Sequence, residues 1–188
     1  MKTINLTGEV MVSDPCYSVP TWCQHKLTGV LPGEYETTAF RTNNTGGWGT
    51  RCAALIVVHK DYTEDTLNWR AVNSASIGVD SGQCGIFAME SYRNDSIVDE
   101  IITPDSDFHI VYDGEGEKWY EKMCKFTLCD DQWGSYNTGV VSSSGIGDGS
   151  YKLLVAKHNG MIVGIAIDFL ILDLKSRMFN DILTMEQV

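Results

Sequence analysis

Apolar and polar residues alternate almost from the start of the chain. Ile4, Leu6, Gly8, Val10 and Val12 stand against Asn5, Thr7, Glu9 and Met11, the period of two expected of a strand buried on one face. Pro15, within Ser13-Asp14-Pro15-Cys16-Tyr17, ends that strand because it cannot donate to a sheet ladder. The stretch from Thr21 to Val30 sets Trp22, His25 or Lys26, and Gly29 on one side and reads as a brief helix. Pro32-Gly33 opens a strand over Glu34 to Arg41. The turn cluster Asn43-Asn44-Thr45-Gly46-Gly47 joins it to the β-branched run Ala53 to Val58, giving an antiparallel pair.

From Trp69 to Tyr92 the pattern predicts two strands around Gly78 to Gly85. Asp95 is placed to cap a short helix running to Ile102, which Pro104 stops. Glu115 to Leu128 carries the principal helix, since Trp119 and Met123 lie four apart, as do Tyr120 and Cys124, with Glu and Lys between them. The last third returns to strands over Asn137 to Ser142, Ser150 to Lys157 and Met161 to Leu172, and His158-Asn159-Gly160 is the strongest hairpin signal. These elements predict an α+β, β-rich fold: an antiparallel sheet or β-sandwich with one principal helix, in a single globular domain over residues 1–188.

Composition agrees with a strand-and-turn protein. Eighteen glycines stand against four prolines, and 43% hydrophobic with 21% charged residues is the balance of an ordinary folded domain. The 14 basic and 25 acidic residues leave a formal charge of −11, which excludes a generally basic, direct nucleic-acid binder. The amino terminus lacks the apolar core of a signal peptide, and Gly164 and Asp168 break the longest apolar stretch. A cytoplasmic protein without membrane spans is therefore expected. Six cysteines in such a chain are expected to be reduced thiols. Cys16, Cys23 and His25 lie close in sequence but form no Cys-x-x-Cys pair, so zinc has little support.

Three segments combine an aspartate with residues that turn sharply: Ser13 to Tyr17, Val79-Asp80-Ser81-Gly82-Gln83, and Ser144-Gly145-Ile146-Gly147-Asp148-Gly149-Ser150-Tyr151. The glycine run can adopt positive φ and aim successive N–H groups at one point, as an anion-binding nest does. With these segments, and with Ile167-Asp168-Phe169 in the closing strand, the chain resembles a functionally uncharacterised family (a domain of unknown function) of bacterial and phage proteins. They share Asp-Pro-Cys-Tyr, Val-Asp-Ser-Gly-Gln and Ser-Gly-x-Gly-Asp-Gly-x-Tyr segments. The resemblance implies which loops matter and leans toward a phage member, but it implies no reaction. Residues 90–136 match nothing in it.

The candidate ligand-binding residues are accordingly Asp14, Tyr17, Asp80, Ser81, Gln83, Gly147, Asp148 and Tyr151. Their aspartates accept hydrogen bonds and their glycines offer amide donors. The bland alternative is that the aspartates bond to their own turns. Asp14, Asp80, Asp148 and Asp168 are also the candidate ligands of a divalent cation, Mg²⁺ or Ca²⁺, which would serve a metal-dependent hydrolase.

Other catalytic signatures fail. The glycine run has neither Walker nor dinucleotide spacing, and no Gly-x-Ser-x-Gly elbow surrounds Ser81 or Ser150. Gln83-Cys84-Gly85 is papain-like only until Phe87 stands where the nucleophile belongs. His109 and His158 lack a context that pairs them with Cys84 or Cys16. Trp48, Trp119, Trp133, Tyr120 and Tyr136 serve as core or as a partner surface.

The leading expectation is a non-catalytic, phage-encoded accessory protein that binds a host protein or a small polar or anionic metabolite through its Asp/Gly-rich loops. Two alternatives stand beside it: the hydrolase, and an acidic nucleic-acid mimic built on the carboxylates of Asp95 to Asp131.

Overall fold

The computed structural model describes residues 2–43, 45–100 and 114–170. Eleven strands and one α-helix lie within them: β1 (Lys2–Leu6), β2 (Glu9–Ser13), β3 (His25–Thr28), β4 (Gly33–Thr42), β5 (Arg51–His59), β6 (Trp69–Val79), β7 (Gln83–Ala88), α1 (Glu117–Thr127), β8 (Trp133–Tyr136), β9 (Gly139–Ser143), β10 (Gly149–His158) and β11 (Met161–Asp168). The strands form two antiparallel sheets, a six-stranded one in the order β1-β4-β5-β11-β10-β6 and a five-stranded one in the order β3-β2-β7-β9-β8.

The sheets pack face to face. Ile4 and Leu6 from β1, Leu55 and Val57 from β5, Ile77 from β6 and Ile165 and Ile167 from β11 meet Val10 and Val12 from β2, Ile86 from β7 and Val140 from β9 in one core. The amino-terminal alternation therefore spans two strands in different sheets. The chain crosses the sandwich at Thr7-Gly8 with its period intact, because both halves turn the same parity toward the shared core. Gly8 O accepts the Val30 N–H at that crossing. The edges are hooked together as well: Asn5 N donates to Asn137 O at 2.7 Å on one side, and Gly78 N to Cys23 O at 3.3 Å on the other. These bonds cover parts of otherwise open sheet edges.

Helix α1 lies on the outer face of the smaller sheet, where Trp119, Met123 and Phe126 pack on Met11, Phe87 and Val141. Glycine opens the room that these rings need. A Cβ at Gly139 would stand 2.6 Å from the Phe87 ring, one at Gly85 would press into the same ring, and one at Gly134 into Phe126.

Several expectations are corrected. Thr21 to Val30 is no helix: it contributes β3, and Trp22 stands 87% exposed before it. Strand β8 was not foreseen. The loops at 80–82 and 144–148 each carry the chain between the two sheets, since β6 and β10 belong to the larger sheet and β7 and β9 to the smaller. Asp95 opens a short 3-10 turn, Asp95–Glu100, but its carboxylate caps α1 instead. Oδ2 accepts Gly116 N and Oδ1 accepts Trp119 N, both at 2.9 Å. The stop at Pro104, His109, and the end of the last strand at Leu172 fall outside the described residues.

Candidate functional site

The three aspartate-marked segments meet at one end of the sandwich. The first joins β2 to β3 within the smaller sheet, the second carries the chain from β6 to β7, and the third returns it from β9 to β10. Asp14 is their hub. Its side chain is fully buried, and its carboxylate accepts four hydrogen bonds. Cys16 N (2.8 Å) and Ser81 Oγ (2.6 Å) donate to Oδ1, while Asp80 N (2.8 Å) and Ser81 N (2.7 Å) donate to Oδ2. A buried carboxylate needs such charge-assisted donors, because unpaired burial of a charge is costly.

The third segment is fastened to the second. Asp148 Oδ1 accepts Gly82 N at 3.1 Å, and Ser144 N donates to Gly82 O at 2.9 Å. Gly145 and Gly147 take positive φ values of 55° and 115°, so the turn closes on itself. Ser144 Oγ donates to Gly147 O at 2.9 Å, and the buried Tyr151 hydroxyl reaches Ser144 O at 3.0 Å and Gly147 O beside it. Tyr151 itself stacks edge-on against Phe169, tying the loop to the end of β11.

Around Asp14 lies a ring of neutral donors. Burial, then the charge of Asp14, pushes the Cys16 thiol far above its ordinary range. Burial likewise raises the hydroxyls of Tyr17, with Asp80 and Cys23 adding to the effect, and of Tyr120, with Cys124 adding to it. The Cys124 thiol is raised by burial too. The buried Gln83 side chain faces α1, where its Nε2 donates to Cys124 Sγ at 3.1 Å and its Oε1 accepts the Thr127 hydroxyl at 3.1 Å. These thiols and phenols are protonated near neutrality, so neither Cys16 nor Cys124 is poised as a thiolate nucleophile.

Three residues support the loops without having been singled out from the sequence. The Tyr92 hydroxyl lies 2.7 Å from Tyr17 O, and Gln24 Nε2 donates to that hydroxyl at 2.9 Å. The Arg93 guanidinium donates to Pro15 O at 3.0 Å and Cys16 O at 3.2 Å while paired with Glu117 at 3.0 Å. No local pattern marks them, because each acts across a long stretch of chain.

The structure thus brings Asp14, Tyr17, Asp80, Ser81, Gln83, Gly147, Asp148 and Tyr151 to one end of the sandwich, in three different settings. Asp14, Gln83 and Tyr151 are buried supports, Tyr17, Ser81 and Gly147 are half-buried, and Asp80 and Asp148 are exposed.

The cation reading gains no support from these positions. Among the described residues no group of three or more His, Cys, Asp or Glu is arranged to hold a metal ion, which covers Asp14, Asp80, Asp148 and Asp168, and equally Cys16, Cys23 and His25. Asp14 already spends both oxygens on four protein donors, and Asp168 Oδ1 accepts Leu170 N at 3.3 Å.

The anion nest is also modified. The successive amides of Asp80, Ser81 and Gly82 do converge on anions, but those anions are the chain's own Asp14 and Asp148. In the glycine run the Gly147 amide donates to Ser144 O. Comparison with family models, curated proteins and solved structures finds no match among any of the three.

Proposed function

We propose that this chain is a non-catalytic binding protein that holds a partner protein at the loop end of its sandwich. In line with the family pattern it resembles, we take it to be a phage-encoded accessory protein whose partner belongs to the host. One observation carries the choice of a protein over a small anionic metabolite. The successive amides of Asp80, Ser81 and Gly82 are taken by Asp14 and Asp148, while the exposed surface of these loops includes carboxylates and large apolar side chains.

Asp80 and Asp148 are exposed, and Val19 (48%), Trp22 (87%) and Ile146 (55%) stand out from the same connections. An exposed aromatic residue on stapled loops that also carry exposed carboxylates is of the type enriched in interface hot spots. The acidic rim favours a partner segment that carries basic residues.

The test is a capture from host lysate with the native chain and with a Trp22→Ser variant, followed by binding of the purified partner. Expected is one partner held by the native chain and lost by the variant, with unchanged circular dichroism. A partner retained equally by the variant, or one released by salt regardless of Trp22, would overturn this reading in favour of charge mimicry.

A further inference from the structure

A second feature lies at the far end of the same strands. Asn68, Arg70 and Lys157, all exposed, and the half-buried Val155 line an open groove of about 460 Å³. Register sets Arg70 of β6 opposite Val155 of β10, with Trp69 opposite Ala156. Because side chains alternate along a strand, Asn68 and Arg70 share a face with Val155 and Lys157. On β10 the partners of Arg70 and Val79 are Val155 and Gly149, six residues apart, so at the ordinary strand rise roughly 20 Å separates Arg70 from the start of the Asp80 loop.

The charge here runs against that of the molecule. On a chain of net −11, cations such as Lys26, Lys60, Arg93 and Lys125 are each paired with a glutamate. Arg70 and Lys157 form no ion pair and no side-chain hydrogen bond among the described residues, and neither does the Asn68 amide. Two like charges placed diagonally across adjacent strands repel one another. An anion between them removes that repulsion and adds charge-assisted hydrogen bonds.

We propose that this groove binds a small phosphate-bearing molecule. The guanidinium of Arg70 offers a planar fork that matches two phosphate oxygens, Lys157 supplies a point charge, and Asn68 adds a neutral amide donor. A phosphate, with three free oxygens, answers three donors where a carboxylate answers two. Val155 is the apolar contact for the remainder of the ligand, and the volume falls within the range of small-molecule sites.

Titration of the ¹⁵N-labelled chain with inorganic pyrophosphate at constant ionic strength tests this. Expected are saturable shifts confined to the backbone around 68–72 and 154–158, and affinity weakened by ~tenfold or more in Arg70→Gln/Lys157→Gln. A Lys26→Gln/Lys60→Gln control should leave the affinity unchanged. Both pairs are surface substitutions, and equal melting temperatures confirm that the variants are folded. Shifts that never saturate, that spread over all basic residues, that persist in the Arg70/Lys157 variant, or that acetate reproduces at equal concentration would each overturn the assignment.

Discussion

Replacing Asp14 by asparagine asks whether the loop end is held by one buried carboxylate. The substitution is nearly isosteric, so it opens no cavity. It exchanges one accepting oxygen for an NH₂ that donates. Whichever way the amide turns, two of the four present donors then face a group that cannot accept: Cys16 N with Ser81 Oγ, or Asp80 N with Ser81 N. A hydrogen bond to a charged group is worth about 1.5–3 kcal/mol, so losing two predicts a loss of about 3–6 kcal/mol. The ordinary stability of a domain is about 5–15 kcal/mol. With a urea slope near 2 kcal/mol/M the unfolding midpoint should fall by about 2 M with the slope unchanged.

Ser81→Ala removes one donor and leaves the carboxylate satisfied by three, so it should cost about 1.5–3 kcal/mol, less than Asp14→Asn. The double variant should then fall short of additivity, because the serine hydroxyl and the carboxylate share one bond. Equilibrium urea unfolding followed by tryptophan fluorescence measures all three variants. An Asp14→Asn variant within about 1 kcal/mol of the native chain would refute the view that this carboxylate is the staple.

Three further outcomes follow from the same structure. Burial lifts the Glu64 carboxyl from 4.5 to about 7, with Asp65 adding to the effect. The folded state therefore binds that proton more tightly than the unfolded chain, and stability contributed by it declines as pH rises through that interval. Glu64→Gln should be more stable than the native chain at about pH 8, on the order of 1–3 kcal/mol, with the advantage gone near pH 4; a pH-independent difference in midpoint would count against it. Cys16 and Cys124, whose thiols burial keeps protonated, should react with iodoacetamide at about pH 8 more slowly than a free thiol, as read by mass spectrometry of the labelled peptides. Gly85→Ala would set a methyl 2.6 Å from Val140 O and into the Phe87 ring. It should destabilise by about 3 kcal/mol or more, and a shift smaller than 1 kcal/mol in the same urea assay would mean that the ring has room to move.

Much of the fold is legible in the sequence wherever the deciding interaction is local. The turn at His158-Asn159-Gly160 closes β10 onto β11 because Asn159 and Gly160 take φ values of 49° and 82°, which that residue pair tolerates well. The spacing of Trp119 and Met123 places both beneath α1 for the same kind of reason. What stays hidden is the choice of partner. A turn such as Asp80 to Gly82 has the same chemistry whether the next strand pairs beside the last or crosses to the other sheet. Nothing within those residues records that β7 pairs with β2 and β9. Asp95 shows the same blindness on a smaller scale: a local rule gives its carboxylate to the helix turn it opens, yet the carboxylate caps a helix whose first residue lies 22 positions further on.

The candidate site divides along that line too. Its residues are legible because Asp, Gly and Pro mark sharp turns in any context, but their roles depend on contacts 66 and 67 residues away in the chain, through which Asp14 reaches Asp80 and Ser81 and Gly82 reaches Asp148. The net charge of −11 counts these carboxylates as equals, whereas burial makes them opposites. Asp14 is spent internally and acts as the anion that its own amide nest requires. Asp80 and Asp148 lie exposed at the surface, where the proposed partner would meet them. The Asp80, Ser81 and Gly82 amides, satisfied from within, are no longer on offer to an outside anion, and the same bonds give a rigid frame on which Trp22 and Ile146 are presented without the entropy cost of ordering a free loop.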